Sequence, residues 1–240
     1  MAVRNRRPDL NGLLVIDKPL GWSSADVCRF VRRRTGGAKV GHGGTLDPLA
    51  TGVLVVCLGR ATKSIDGIVG AEKDYRAAID LSAFTTTDDA EGERTEVAVD
   101  EPPATDAIRR ALDEGFAGEI EQRPPAFSAV KIGGRRAYKL ARAGEAVEPE
   151  PKRVVIHETR VERYDWPALD LFVRCGKGVY IRSIARDLGV ALGTGGSLTG
   201  LVRTRVGAYR LADAVGPDDL PADIGPDDLR PIPPAPGAGG

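Results

Sequence analysis

The chain has 240 residues, 42% of them hydrophobic and 28% charged, an ordinary balance for a globular protein able to bury a substantial core. No apolar run approaches the roughly 18 residues a membrane helix needs, and MAVRNRRPDL at the start lacks a signal-peptide core, so a cytoplasmic protein with no membrane association is expected. Cys28, Cys57 and Cys175 lie far apart, with only two histidines in the chain, which excludes a zinc site and reads as three reduced core or strand residues.

In chain order, Leu13 to Asp17 reads as a short strand ended by a turn at Pro19–Gly21. Ser23 or Ser24 caps a helix to about Arg34, with Val27, Phe30 and Val31 on one face. Residues 36–44 read as loop, Val53 to Leu58 as a buried strand, and Ala61 to Val69 as a helix. Asp74 to Leu81 alternates as a strand, and a turn at Ala90–Glu93 leads into another through Val99. Thr105, as N-cap, opens a helix to Phe116. Ala126 to Ile132, Gly133–Gly134 and Arg135 onwards read as a hairpin, then a short helix to Arg142. Val154 to Tyr164 and Leu169 to Cys175 are strands, and Tyr180 to Leu192 is an amphipathic helix with Ile181, Ile184, Ala185 and Leu188 inward. Leu198 to Arg203 and Gly207 to Leu211 close the list of strands. Strands that follow one another without regular alternation with helices predict an α+β fold with a mixed, mostly antiparallel sheet and flanking helices. GPDDL occurs twice, at 216–220 and 225–229, and predicts two capped helical turns before the Pro/Gly-rich end.

Net charge is zero, but unevenly spread. From Leu211 on there are six acids and one arginine, which leaves a net of +5 over residues 1–210. There the basic residues cluster at Arg4–Arg7, Arg29–Arg34, Lys131–Arg142, Lys152–Arg153 and Arg203–Arg205, the pattern of a molecule with one positive side.

The most informative stretch is GHGGTLDPLATGVLVVCLGRATK, Gly41 to Lys63. It sets Asp47 in a glycine-crowded loop directly before a buried strand, which is how a catalytic carboxylate is held on a rigid support. Competing motifs fail on spacing. GRATKS lacks the second glycine of a phosphate loop. GTGGSLTG follows a helix instead of opening one after a strand.

This stretch resembles the catalytic motif of the TruB-type pseudouridine synthases. GLLVIDKPLGWSS (Gly12 to Ser24), KDYRA (Lys73 to Ala77), RPPAFSAVKIGGRRAYKLARAG (Arg123 to Gly144), CGKGVYIRSIARDLG (Cys175 to Gly189) and LVRTRVGAY (Leu201 to Tyr209) resemble its other motifs, in order over roughly residues 12–210. The resemblance implies the pseudouridine synthase fold with a curved sheet, and conversion of uridine-55 in the tRNA T-loop without a metal or cofactor. It implies Asp47 as catalytic aspartate, paired with Arg182, and Tyr75 stacked on the base. His42, Tyr180, Leu201 and Lys18 follow as substrate-pocket residues, Lys18 also as scaffolding under the catalytic loop. The insertion at about 123–153, with Lys131, Arg135, Arg136, Lys139 and Arg142, is expected to grip RNA phosphates. Around it the expected organisation is a basic extension (1–11), a catalytic domain (12–211) and an acidic, Pro/Gly-rich tail (212–240) that fits no PUA-type RNA-binding module. The expected partner is the tRNA T-arm, bound by a monomer that needs no protein partner. The alternatives are an RNA-binding or tRNA-folding protein whose role does not depend on catalysis, and the guide-RNA-dependent branch of the family.

Overall fold

The computed structural model describes residues 7–128, 130–145 and 148–232, without the side chains of Lys131, Arg136, Tyr138 and Arg142. The chain runs β1 (Gly12–Lys18), α1 (Ser24–Arg34), β2 (Val40–His42), β3 (Ala50–Leu58), a 3-10 segment at Gly59–Ser64 and α2 (Ile65–Gly70). Next come β4 (Lys73–Asp80), β5 (Ala83–Thr85), β6 (Arg94–Glu96), α3 (Thr105–Gly115) and β7 (Gly118–Gln122). The insertion holds β8 (Lys131–Ile132), β9 (Arg135–Arg136) and α4 (Ala137–Arg142). The remaining elements are β10 (Lys152–Asp165), β11 (Ala168–Cys175), α5 (Ile181–Leu192), β12 (Ser197–Val206) and β13 (Tyr209–Arg210). This is the expected α+β class: every strand register resolved pairwise is antiparallel, and two isolated bridges, Ile16–Val215 and Asp89–Leu198, are parallel. Two compact units emerge, Met1–Lys73 with Val202–Gly240, and Asp74–Leu201. Among the described residues no helix is long and apolar enough to cross a membrane.

In the first unit β3 lies between β1 and β12, with β2 pairing β3 and β13 pairing β12. Both faces of this sheet are covered, which is why β3 reads as an unbroken apolar run. Leu14, Ile16, Leu54, Val56 and Leu58 pack on one side with Val27 and Val31 of α1; Leu13, Val15, Val53, Val55 and Cys57 pack on the other with Ala61 and Ile68. Helix α1 starts at a reciprocal cap: Asp26 N–H donates to Ser23 Oγ (3.2 Å), and Ser23 N–H donates to Asp26 Oδ2 (2.9 Å). Arg32, Arg33 and Arg34 fill its last turn, where the helix dipole favours cations. Loop was expected over 36–44, yet Val40–His42 is a strand, because the free edge of β3 offers ladder partners at Val56, Cys57 and Leu58. Gly41 permits it: a Cβ there would lie 2.7 Å from Ile65.

The C-terminal segment belongs to this core. Leu13 and Arg230 exchange backbone hydrogen bonds (2.9 Å each), Val215 bonds Val15 and Asp17, and Leu220 and Ile224 are buried under α1. The segment thus covers the outer edge of β1, a strand otherwise open to pairing with another chain. Both GPDDL repeats form single 3-10 turns, at Pro217–Asp219 and Pro226–Asp228. The PIPPAPGAGG end falls outside the described residues from 233 on, as do residues 1–6 of the basic extension.

In the second unit the strand order is β12-β4-β11-β10-β7, with β5–β6 and β8–β9 as separate hairpins. β4 buries Tyr75, Ala77 and Ile79 on one face, and β11 buries Leu169, Leu171, Val173 and Cys175. α5 turns Ile181, Ile184, Ala185 and Leu188 inward, as its periodicity predicted. Differences from the sequence reading are local: the strand expected through Val99 ends at Glu96, and that expected over Ala126 to Ile132 is confined to Lys131–Ile132. The N-cap of α3 is Ala104, without a side-chain hydrogen bond, so Thr105 lies inside the helix. β5 and β7 were not anticipated, being three and five residues long and short of buried side chains. Both expected closing strands are present with other bounds: β12 continues through Val206, and the second is shortened to Tyr209–Arg210, β13.

Candidate active site

The Asp47 loop is held from three sides by buried polar side chains of the first unit. Ser24 Oγ accepts from Leu46 N–H (2.8 Å) and lies 3.2 Å from Leu46 O as donor, fixing the residue before Asp47. Lys18, with no exposed surface, places its ammonium on the carbonyls of Pro19 (2.9 Å), Trp22 (2.6 Å) and Pro48 (3.5 Å). Arg203, 1% exposed, donates to Val53 O (2.8 Å), Gly44 O (3.1 Å) and Thr45 O (3.3 Å). Backbone bonds add to this: Gly21 N–H to Pro48 O (2.9 Å), Gly43 N–H to Val55 O (2.8 Å) and Ala50 N–H to Asp47 O (3.0 Å). Two glycines are required by space. A Cβ on Gly43 would fall onto Ile68, and Gly52, at φ +97°, would run into the Arg203 backbone. Asp47 itself is half-buried on this frame.

The same cluster sets local electrostatics. Burial pulls the Lys18 ammonium down to about 8; Asp47 opposes that shift and Arg203 adds to it. His42, at the end of β2, is also lowered, by burial first and then by Arg203, so its imidazole is neutral at neutral pH. Its Nδ1 is buried and meets no well-formed hydrogen-bond partner among the described residues. Burial pushes the thiols of Cys28 (to about 11) and Cys57 (further still) upward, which leaves both as protonated packing groups.

The other expected site residues lie in the second unit. Tyr75 sits on the inward face of β4, 7% exposed, beside Asp74, which takes a bidentate contact from Arg174 (3.1 and 3.3 Å). Leu201, in β12, is partly buried. Tyr180 precedes α5, its backbone locked by Gln122: Tyr180 N–H donates to Oε1 (2.8 Å) and Tyr180 O accepts from Nε2 (3.1 Å). Arg182 occupies the first turn of α5, where a cation opposes the helix dipole. Its side chain is 6% exposed, so it is no surface arginine. Burial of that charge is offset by Asp89 (3.3 Å) and by the carbonyls of Thr87 and Phe127 (3.0 Å each). Asp89, 4% exposed, is itself held by Thr87 Oγ1 (2.5 Å) and Glu91 N–H (3.1 Å).

In the insertion, Arg135 and Lys139 are exposed, and Arg135 pairs with Glu145 (3.0 Å). The side chains of Lys131, Arg136 and Arg142 lie outside the described residues. Among the described residues no three His, Cys, Asp or Glu stand close enough to hold a metal ion.

Residues 32–181, more than half of the chain, match the family described as TruB family pseudouridylate synthase (N terminal domain). The chain belongs to this family. It is 49% identical to tRNA pseudouridine synthase B of Thermobifida fusca (strain YX) over 225 residues, 89% of this chain and 75% of that one. The protein of the same name from Leifsonia xyli subsp. xyli is 54% identical over 207 residues, 83% and 68% of the two chains. The Bacteroides fragilis protein is 46% identical over 217 residues, 85% of this chain and 90% of that one. Among solved structures the fold matches a chain of a Cbf5–Nop10–Gar1 complex, with a TM-score of 0.69 and 28% identity over 89% of this chain and 54% of that one. A chain from an H/ACA RNP bound to a substrate RNA containing 2′-deoxyuridine follows, at 0.65 and 27% over 87% and 52%. This chain therefore spans about half the length of those two solved chains.

Within this TruB-family frame, four residues that hold candidate residues in place, two in each unit, were not singled out from sequence. Arg203 was read as surface charge and is buried; Ser24 was weighed only as a cap. Gln122 and Asp89 carried no signal, since their partners lie far along the chain. Doubled serine in GWSS was the one usable hint, because a helix needs a single cap and the second hydroxyl is free for other work.

Proposed function

We propose that this protein is a tRNA pseudouridine synthase that isomerises uridine-55 in the T-loop of tRNA, with Asp47 as the catalytic carboxylate. The observation that carries the reading is the Asp47 loop of a TruB-family chain, fixed by Lys18, Ser24 and Arg203, none of which is more than 2% exposed. Such a support holds a reacting group to a narrow geometry and removes the reorganisation a flexible loop would need.

The reaction breaks the bond between uracil N1 and ribose C1′, turns the base and rejoins it through C5. No electrons or phosphoryl groups move, so a single carboxylate suffices, as nucleophile at C1′ or C6 or as base toward the C2′ proton. The target base is stacked in folded tRNA and must be extruded. In this reading Tyr75 stacks on the flipped ring, Tyr180 and Leu201 complete an apolar pocket, and Arg182 supplies positive charge to the reaction. His42, neutral and half-buried, meets RNA by contact and not by ion pairing. Lys18, with its ammonium on three carbonyls, serves the loop and not the substrate directly. Arg135, Arg136, Lys139, Lys131 and Arg142 of the insertion grip the T-arm backbone. The protein acts in the cytoplasm as a monomer.

The test is incubation with an unmodified tRNA transcript, followed by chemical mapping of pseudouridine. Modification confined to position 55 is expected. Binding without any pseudouridine would instead favour the RNA-folding reading.

A further inference from the structure

Resting on the synthase reading, we propose that Arg186 is a positioning residue for Arg182: one helical turn further along α5, it clamps the same two backbone segments from outside. Residues four apart on a helix share a face. Arg182 reaches the 87–89 turn through Thr87 O and Asp89, and the 123–127 segment through Phe127 O. Arg186 repeats the pattern. It donates to Asp88 Oδ2 (2.8 Å) and to Arg123 O (2.9 Å), and its Nε holds Asp187 (2.8 Å).

The backbone is bent to allow this. Asp88 has φ +61°, the one positive value among described non-glycine residues. Successive side chains of an extended strand point to opposite sides. A left-handed residue breaks that alternation, so adjacent carboxylates, Asp88 and Asp89, meet adjacent arginines of one helix. A left-handed backbone is uncommon for any residue but glycine and persists only where its surroundings hold it.

The second segment is the root of the insertion. Arg123 O also accepts from Ser183 Oγ (2.8 Å), while the Arg123 side chain bonds Pro149 O (3.1 Å) and Glu148 (3.0 Å) where the insertion ends. Arg186 therefore ties the insertion's base to the turn that carries Asp89. With the distance between these segments set by Arg186, the Arg182 guanidinium finds its acid and both carbonyls in place. A solvated ion pair could not do this. Arg186 and Asp88 keep only 22% and 15% of their side-chain surface exposed, and the guanidinium spans three separate acceptors.

The experiment compares wild type, Arg186→Gln, Asp88→Asn and the double variant on an unmodified tRNA transcript, well below each melting midpoint and with folding verified by circular dichroism. Each single change should lower kcat about tenfold with KM shifted less than about threefold. The double variant should be no worse than the poorer single one by more than about threefold, since the pair acts as a unit. Amide hydrogen exchange over 86–90 and 123–128 should quicken in Arg186→Gln. A folded variant with kcat within about twofold of wild type, or an effect confined to the melting midpoint, overturns the proposal. If Arg186→Gln does not fold, the near-isosteric Asp88→Asn alone decides. Should wild type itself make no pseudouridine, the synthase reading fails, and unchanged exchange at both segments would separately refute the clamp.

Discussion

At the scale of single residues, the Asp47 loop depends on charges placed where water cannot reach them. Lys18 is held down to about 8 by burial, against an ordinary value of 10.5. Its folded value lies below the unfolded one, so the unfolded chain binds more protons between about pH 8 and 10.5, and this group adds stability as pH rises through that window. Function should run the other way. A neutral amine has two hydrogens for three carbonyls, so kcat should fall as pH rises through about 8, even while the fold gains from the neutral lysine. A kcat profile flat to pH 9.5 would show that the ammonium does not hold the loop. Arg203 makes a second prediction. Arg203→Met strands the carbonyls of Gly44, Thr45 and Val53 in the interior and should cost about 2–4 kcal/mol, seen as a melting midpoint lower by roughly 4–16 °C. An unchanged midpoint would mean these carbonyls find other donors.

At the scale of elements, what was legible in the sequence depended on how far apart the partners lie. Periodicity and capping act within a turn or two, so α1, β3, β10, β11 and α5 could be read directly. β2 could not, because Gly41 and His42 become strand only through Cys57 and Val56 of β3. The site was divided in the same way. Asp47 stood out through its own loop, but Arg203 bonds residues about 150 positions earlier and Gln122 a residue 58 positions later. No local pattern announces such contacts. The insertion was legible as a Gly-Gly hairpin and helix, and Arg135 and Lys139 are exposed on it. If it grips phosphates, replacing Arg135, Arg136 and Lys139 by alanine should flatten the salt dependence of RNA binding, because each lost phosphate contact removes nearly one unit of slope. KM should rise and kcat change far less, since these residues would hold RNA without reacting. A salt slope identical to wild type would remove the insertion from the binding surface.

At the scale of the whole molecule, zero net charge conceals a division of labour: acids concentrate after Leu211, where the chain lines β1, and residues 1–210 carry the positive excess that RNA requires. In the proposed reading the chemistry rests on one group, the Asp47 carboxylate. Asp47→Asn keeps size and shape while removing charge and basicity, so it separates chemistry from binding. The decisive measurement is single-turnover pseudouridine formation by this variant on an unmodified tRNA transcript, with the dissociation constant measured in parallel. The account predicts a rate at least about a thousandfold lower, or ~4 kcal/mol of barrier, with affinity changed by less than about tenfold, or ~1.4 kcal/mol. Turnover near the wild-type rate would contradict it.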